Sequence, residues 1–162
     1  KAVGISRQAL YLHFPNRTEL LVATTRHVDA VKDVDGRLAR SRSASSGIER
    51  LHAFIEAWVG YIPEIHGLSV ALRAMRASDE AAADAWDDRM QAVRHGCAAA
   101  VRAIAEDGDL NPKLTEQTAT DLLWTLLSVE NWERLVRECG WSQTAYEQAV
   151  KNLAEQSLLE RT

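Results

Sequence analysis

The sequence lacks the short motifs that mark many enzyme and metal sites. It has no Gly-x-Ser-x-Gly elbow, no phosphate-binding glycine loop and no dinucleotide-binding fingerprint. Its five histidines and two cysteines form neither a His-Glu-x-x-His nor a Cys-x-x-Cys pair. His95 and Cys97 are two residues apart, which would place them on different faces of a helix. We therefore expect no metal ion and no cofactor, and a small helical enzyme is the least favoured function class.

Long apolar runs and strand patterns are scarce as well. No apolar stretch approaches the roughly 20 residues of a membrane-spanning helix, and no signal peptide is visible. Cys97 and Cys139 lie far apart in predicted helices, which is typical of free, buried thiols in a cytoplasmic protein. Alternation with a period of two residues is almost absent. These absences predict an all-α cytoplasmic protein that does not enter a membrane.

The sequence does have helical hydrophobic periodicity over most of its 162 residues. Hydrophobic residues make up 46% and charged residues 26%, a composition that can build a sizeable core and is not that of a disordered chain. Pro63 is expected to end one helix, and Gly108 and Gly140 are expected at the ends of two others. The predicted helices span residues 17–40, 48–62, 65–76, 79–106, 115–139 and 142–160.

A polar segment divides the chain into two parts of opposite charge. Residues 40–47 are rich in serine and end in glycine, which favours a break between helices. Residues 1–42 carry a net charge of +4 and residues 43–162 a net charge of −8. A basic end on an acidic body is suited to a nucleic-acid phosphate backbone, with chance clustering as the alternative. We expect a DNA-binding domain over 1–42 and a second domain over 43–162.

The N-terminal segment has the pattern of the second half of a helix-turn-helix followed by the start of another helix. Gly4 permits a tight turn, and Ser6 can cap the short helix that follows. Leu10 and Phe14 are four residues apart, so they share the face that would anchor this helix to a core. The other side chains of the short helix are then free to face a major groove.

This segment resembles the DNA-binding motif of the TetR family of bacterial transcriptional repressors. The resemblance is specific over the first thirty residues and loose beyond them, where only the helix pattern agrees. It implies that a further helix and most of another come before residue 1. Asn16 and Glu19 also have the spacing of a capping box, which predicts the start of the next helix. The resemblance rests on the Val3–Ser6 turn, the Leu10–Phe14 run, the Asn16–Arg17 pair and the Glu19–Leu21 helix start.

The resemblance also implies which residues contact DNA. Arg7 would bind a guanine in the major groove, and Gln8 would bind an adenine. Leu12 would meet a thymine methyl group, with a merely exposed leucine as the alternative. The remaining expected contacts are Ser6 and Ala9 at the start of the helix and, at positions that often contact phosphates, Tyr11, His13 and Arg17.

Two C-terminal helices carry more apolar surface than a single neighbouring helix would cover. The segment 122–129 is apolar on more than one face, which requires burial on all sides. In the TetR family these two helices pair with the same two of a second subunit, so the resemblance implies a homodimer. Burial inside one chain is the alternative. The expected interface residues are Leu123, Leu127, Tyr146, Val150 and Leu153.

Aromatic and methionine side chains between residues 48 and 106, with the inner face of the next helix, are candidates for a ligand cavity. They offer adaptable apolar area with few polar demands, although plain core packing would explain each of them equally well. Arg73 could hold an acidic group, with a surface arginine as the alternative. The candidates are Trp58, Tyr61, Arg73, Met75, Trp86, Met90 and Trp124.

The residues and the resemblance together predict a ligand-responsive repressor. It would be a homodimer on a palindromic operator in double-stranded DNA, and it would leave that operator when a small apolar or amphipathic molecule binds its helical body. The alternative is a helical ligand-binding or protein-interaction domain that does not bind DNA.

Overall fold

The computed structural model describes residue 9 and residues 12–160, and every regular element in that part of the chain is helical. The all-α prediction is therefore confirmed. The one extended pairing in this range is an isolated antiparallel bridge between Leu110 and Leu159. Backbone hydrogen bonds of 2.8 and 2.9 Å on either side of it tie the loop at 109–111 to the end of the last helix.

The first long helix, α1 (Arg17–Val31), starts where the sequence predicted. The side-chain oxygen of Asn16 accepts a hydrogen bond from the backbone N–H of Glu19 at 2.9 Å. The Asn16 amide in turn donates to the Glu19 carboxylate at 3.4 Å. The first of these bonds satisfies an N–H group that has no partner within the helix. The capping prediction is confirmed.

α1 does not continue to residue 40, and a second helix, α2 (Val34–Arg42), follows after a break of two residues. The prediction of a single helix over 17–40 was wrong because Asp33 adopts the left-handed conformation, with φ of 52°. Its carboxylate then accepts a hydrogen bond from the backbone N–H of Gly36 at 3.2 Å. Asp33 therefore ends one helix and caps the next.

The third helix, α3 (Gly47–Met75), runs through Pro63 instead of ending there, so the prediction of separate helices over 48–62 and 65–76 was wrong. Proline has no N–H, and the carbonyl of Val59, four residues earlier, therefore loses its partner within the helix. The side-chain amide of Gln143 donates to that carbonyl at 2.8 Å. This donor from a distant part of the chain compensates for the missing helical hydrogen bond.

The fourth helix, α4 (Glu80–Asp107), ends at Gly108, whose φ of 82° lies in the region that glycine adopts without strain. Asp79 caps its start by accepting from the N–H of Ala82 at 3.4 Å. The predicted extent of this helix, 79–106, agrees with the structure to within one residue.

α3 and α4 are antiparallel and approach very closely at one end. A Cβ atom on Gly47, at the start of α3, would lie 2.4 Å from the backbone nitrogen of Ile104 near the end of α4. The backbone N–H of Gly47 donates to the carboxylate of Asp107 at 2.6 Å. A side chain at position 47 would therefore push the two helices apart.

The single helix predicted over 115–139 is divided into α5 (Glu116–Leu126), α6 (Val129–Trp132) and a π-helical segment, Glu133–Glu138. The prediction was wrong because Ser128 starts a new helix. Its hydroxyl accepts a hydrogen bond from the backbone N–H of Asn131 at 3.3 Å.

The last helix, α7 (Gln143–Leu158), begins where the sequence predicted. The hydroxyl of Ser142 caps it by accepting from the N–H of Ala145 at 3.1 Å. Gly140, expected at the end of the preceding helix, has a left-handed φ of 75° and allows the chain to turn back. α7 then packs against α3 and α5.

The core lies between α3, α4, α5 and α7, and it contains four of the five residues expected at a dimer interface. Leu123, Leu127, Tyr146 and Val150 are each 3% exposed or less within one chain. The prediction that these side chains face a second subunit was wrong, because the core of their own chain encloses them. Leu153 is 47% exposed, so it is still available to a partner.

Two further expectations concern thiols and membranes. Cys97 and Cys139 are both free, as predicted, but only Cys97 is buried while Cys139 is exposed. Burial raises the pKa of the Cys97 thiol to about 12, so it stays protonated. Among the helices of residues 9 and 12–160, none combines the length and hydrophobicity needed to cross a bilayer.

Candidate functional site

The expected DNA contacts lie at the start of the chain, and Ser6, Arg7, Gln8 and Tyr11 fall outside the described residues. Ala9, Leu12 and His13 are all helical. Leu12 is 85% exposed, and His13 is exposed beside it. A single exposed leucine is common on protein surfaces, so its contact with a thymine methyl group stays a prediction.

Arg17, expected to contact a phosphate, has a partner inside the chain. Its guanidinium lies 2.8 Å from the carboxylate of Asp79, the residue that caps α4. The side chain is still half exposed, so a phosphate could reach it only in competition with Asp79. Its contact with DNA stays a prediction as well.

Three more polar contacts join α1 to α4 along its length. Together with the Arg17–Asp79 pair they attach the helix that follows the N-terminal motif to the long helix of the body. The contacts are Thr18 with Asp84 at 3.3 Å, Arg26 with Asp88 at 2.9 Å, and Asp29 with Arg89.

A cavity of about 120 Å³ lies between α1 and α2 on one side and α3 and α4 on the other. Its wall is mainly aliphatic and aromatic. A cavity of roughly 150 Å³ can hold a benzene molecule, whereas drug-sized ligands occupy roughly 300–1,000 Å³. The cavity therefore suits a small molecule, such as one with a single ring or a short branched chain.

Four of the seven residues expected at a ligand cavity line this one: Trp58, Tyr61, Trp86 and Met90. All four come from α3 and α4, the part of the chain to which the sequence assigned the cavity. Both tryptophans and Tyr61 are at least nine-tenths buried. The structure therefore brings these rings together around one space.

The other three candidates, Arg73, Met75 and Trp124, do not line the cavity. Arg73 bonds to the carboxylates of Glu130 and Glu133 at 3.2 and 2.9 Å. Met75 packs, partly buried, against the core. The guanidinium of Arg94 lies 5.8 Å from the ring centroid of Trp124 and covers it. Their assignment to the cavity was wrong because they face other neighbours.

The sequence analysis does not predict the wall of the cavity that α1 and α2 form. The break between α1 and α2 changes the direction of the chain, and the sequence pattern does not predict this break. One signal was present: Val34 and Leu38 are four residues apart and form an apolar face in an otherwise polar segment. The missed lining residues are Thr25, Val28, Asp29, Val34, Arg37 and Leu38.

Charged groups cluster at the end of the cavity where α1 meets α3 and α4. The Tyr61 hydroxyl donates to one oxygen of Asp29 at 2.7 Å, and Arg89 donates to the other. Arg89 also bonds to Asp88 at 2.6 and 3.0 Å. Burial disfavours the charged form of Arg89, but its hydrogen bonds to the two aspartates outweigh this and raise its pKa. Burial, together with the bond to Asp29, also raises the pKa of Tyr61.

A second arginine, Arg37 of α2, covers the same tyrosine. Its guanidinium lies 5.5 Å from the ring centroid of Tyr61. It also donates to the carboxylate of Glu64 at 2.5 Å and to the carbonyl of Lys32 at 2.9 Å. Both arginines at this end of the cavity are therefore already hydrogen-bonded within the protein.

Trp58 connects the cavity to the far side of the core. Its indole N–H donates to the carbonyl of Leu127 at 2.7 Å, at the break between α5 and α6. The break frees this carbonyl from the helical hydrogen-bond pattern. The Trp58 ring, which lines the cavity, is thus held by a backbone carbonyl between α5 and α6 that does not itself line the cavity.

The charged groups at this site do not form a metal centre. In the part of the chain that the structure describes, no three His, Cys, Asp or Glu side chains are grouped so that they could hold a metal ion. His95 is exposed while Cys97 is buried, so they lie on different faces of α4.

Comparison with solved structures gives a protein of similar fold. No protein-family model and no curated protein matches the chain. A solved structure from Saccharomonospora viridis, described as a transcriptional regulator in complex with choline, matches with a TM-score of 0.75. The match covers 99% of this chain and 84% of the other, at 18% sequence identity. The chain therefore shares the all-helical fold of that protein.

Proposed function

We propose that the chain is a TetR-like transcriptional regulator that binds DNA and responds to a small molecule. In this proposal it is a homodimeric repressor, and it leaves a palindromic operator when an apolar or amphipathic ligand fills the cavity. The basic N-terminal motif and the fold shared with a protein described as a regulator both support the proposal.

The observation that carries the proposal is the position of the cavity. Its wall is shared between α3 and α4 of the body and α1 and α2, which follow directly after the DNA-binding motif. A ligand that separates these two walls would move α1 and the segment before it. Such a ligand shifts the equilibrium only if it binds the released form more tightly than the DNA-bound form.

The dimer in this proposal uses the exposed apolar residues of α5 and α7. Leu122 on α5 and Leu153 on α7 are 41% and 47% exposed. Leu153 was already expected at the interface, and Leu122 takes the place of the four expected residues that are buried. A two-fold axis through this face would give the two DNA-binding motifs the symmetry of a palindromic operator.

DNA binding is tested with the full-length protein and fragments of the region upstream of its gene. We expect a specific complex in fluorescence anisotropy, with an affinity that falls steeply as salt rises. Arg7→Ala should relax specificity at one base position, at a cost of roughly 1–3 kcal/mol. Ligand binding without affinity for any DNA would instead support the alternative, a ligand-binding domain that does not bind DNA.

The response to a ligand is tested by filling the cavity. Ala57 lines it, so Ala57→Phe should leave DNA binding intact and abolish release by any effector. Ala74→Phe on the exposed side of the same helix is the matched control and should respond like the wild type. Choline, which is bound to the similar structure, belongs among the first compounds tested. Normal release from the Ala57→Phe variant would contradict the proposal.

A further inference from the structure

The charged end of the cavity indicates the class of molecule that it accepts. We propose that the cavity binds a small apolar molecule that carries one hydrogen-bond donor, a hydroxyl or an ammonium group, and that it rejects carboxylates. Asp29 is the acceptor for that donor. This inference rests on the proposed function only in treating the cavity as the effector site.

Asp29 has unused capacity to accept hydrogen bonds. A carboxylate has two oxygens with about four acceptor positions between them. In the described part of the chain, Asp29 accepts from the Tyr61 hydroxyl at 2.7 Å on one oxygen and from Arg89 on the other. Each oxygen therefore keeps a lone pair for a further donor, and Asp29 is itself one of the residues that line the cavity.

The two arginines at the same end are poorly placed to bind an anion. Arg89 is shared between Asp29 and Asp88, and Arg37 is held by Glu64 and by its stacking on Tyr61. A carboxylate ligand would have to displace one of these acids, and it would then lie next to the negative charge of Asp29. Both effects oppose the binding of an anion in a partly buried site.

The apolar side chains that line the rest of the cavity determine what the rest of the ligand must be. Phe54, Trp58 and Trp86 line the cavity and are at least nine-tenths buried, so they contact an apolar body. Their rings are also compatible with a cationic head group. With a volume of about 120 Å³ the cavity takes one ring and a single polar group.

Three compounds of nearly equal size test the selectivity: benzyl alcohol, benzylamine and benzoate. They share one ring and differ in the head group, which is neutral, cationic or anionic at pH 7. Dissociation constants come from tryptophan fluorescence and thermal shift of the full chain without DNA. We expect the alcohol and the amine to bind at least about tenfold more tightly than benzoate, a modest factor for a partly buried charge. Equal or tighter binding of benzoate, or no binding of any compound at millimolar concentration, would overturn the inference.

A charge-removing variant tests the role of Asp29. In Asp29→Asn the amide oxygen can still accept from Tyr61, and Arg89 keeps its bond to Asp88. The preference for benzylamine over benzoate should fall by at least about tenfold, because the acidic charge is gone. Asp84→Asn is the matched control: it removes the same charge from α4 outside the cavity and should leave the preference unchanged. An unchanged preference in Asp29→Asn would refute the assignment.

A second variant keeps the test decisive if Asp29→Asn fails to fold. Tyr61→Phe keeps the ring and removes the donor that occupies one Asp29 oxygen. We expect benzylamine and benzyl alcohol to bind about threefold more tightly, because that oxygen becomes fully available. Weaker binding of both would contradict the inference. These measurements use no DNA, so a protein with this selectivity and no affinity for DNA would refute the proposed function alone.

Discussion

At the scale of single residues, the hydroxyl of Tyr146 has unfavourable surroundings. The residue is completely buried, and within the described part of the chain its hydroxyl is the one buried side-chain polar atom without a hydrogen-bond partner. Burial raises its pKa to about 12, so the hydroxyl stays protonated and keeps a donor that meets no acceptor. Such a group costs free energy, because water satisfies it in the unfolded chain.

Tyr146→Phe should therefore stabilise the protein. The variant keeps the ring and removes the unpaired hydroxyl, and we expect the free energy of unfolding to rise by about 1 kcal/mol. Urea denaturation followed by circular dichroism measures the change. Tyr61→Phe is the control, since that hydroxyl is bonded to Asp29, and it should lower the free energy of unfolding by about 1 kcal/mol. A loss of stability in Tyr146→Phe would show that the hydroxyl has a partner after all.

Residues that act on their immediate neighbours in the chain were the easiest to predict. Asn16 caps a helix as expected, because a capping hydrogen bond spans only three residues. Asp33 uses the same kind of bond but was missed. Its left-handed conformation is rare for residues other than glycine, and no sequence pattern predicts it.

At the scale of helices, the contact between the start of α3 and the end of α4 depends on a glycine. Gly47→Ala should lower the free energy of unfolding by about 1–3 kcal/mol, because its Cβ would lie 2.4 Å from backbone atoms that cannot move aside. Gly60→Ala lies in the same helix with nothing within 4 Å of the added atom, and it should gain about 0.5–1 kcal/mol. Thermal melts of the two variants would disprove this packing argument if both shifted in the same direction.

The attachment of α1 and α2 to the body should weaken in acid. Burial alone would raise the pKa of Asp88, but its bonds to Arg26 and Arg89 outweigh this and lower it below the usual 3.8. Bonds to Lys32 and Arg37 lower the pKa of Glu64 below 4.5. A lowered folded-state pKa stabilises the protein above the unfolded-state pKa, and this contribution disappears as pH falls through the folded-state value.

We therefore expect the melting temperature to fall as the pH decreases below about 4.5. Circular dichroism melts between pH 7 and pH 3 measure the effect. The Asp88→Asn variant should be less stable at pH 7 and should depend less steeply on pH. A melting temperature that stays constant down to pH 3.5 would show that these ion pairs contribute nothing to stability.

The helix boundaries depend on contacts between distant parts of the chain as well as on local sequence. The sequence predicts a helix end at Pro63, since the residue lacks an N–H, but the compensating donor is Gln143, eighty residues later in the chain. The sequence predicts that Ser128 lies inside a long apolar helix, but it caps a new one. In both cases the type of element was predictable from local periodicity, while its extent depended on hydrogen bonds that the periodicity does not report.

At the scale of the whole molecule, the candidate site could be predicted only in part. Trp58, Tyr61, Trp86 and Met90 were predicted because they are large apolar residues between positions 48 and 106, and they line the α3–α4 side of the cavity. The opposite wall and its Asp29 were missed, because they depend on how α1 and α2 fold back onto the body. The packing of one pair of helices on another is difficult to predict from a single sequence.

The assembly is tested at the same scale with Leu153→Glu. The side chain is exposed in one chain, so the variant should keep its fold and lose the dimer, because a partner would bury an unpaired charge. Sedimentation velocity should show monomers for this variant and dimers for the wild type at micromolar concentration. Val31→Glu, on α1 and also exposed, is the control and should stay dimeric. A wild type that sediments as a folded monomer would remove the dimer from the proposal. Leu127→Glu cannot serve here, since it would disrupt the core itself.

The break at Asp33 has a mechanical consequence. A continuous helix from residue 17 to residue 42 would be a rod about 39 Å long, and it would transmit torque from the serine-rich segment at residues 40–47 to the N-terminal motif. The two short helices cannot transmit it, because the rod is interrupted after Val31. Instead, four contacts with α4 hold α1 along its side. A force applied at the N-terminal end of α1 therefore acts on its contacts with α4. Pulling on that end should separate α1 from α4 before α2 separates from α3.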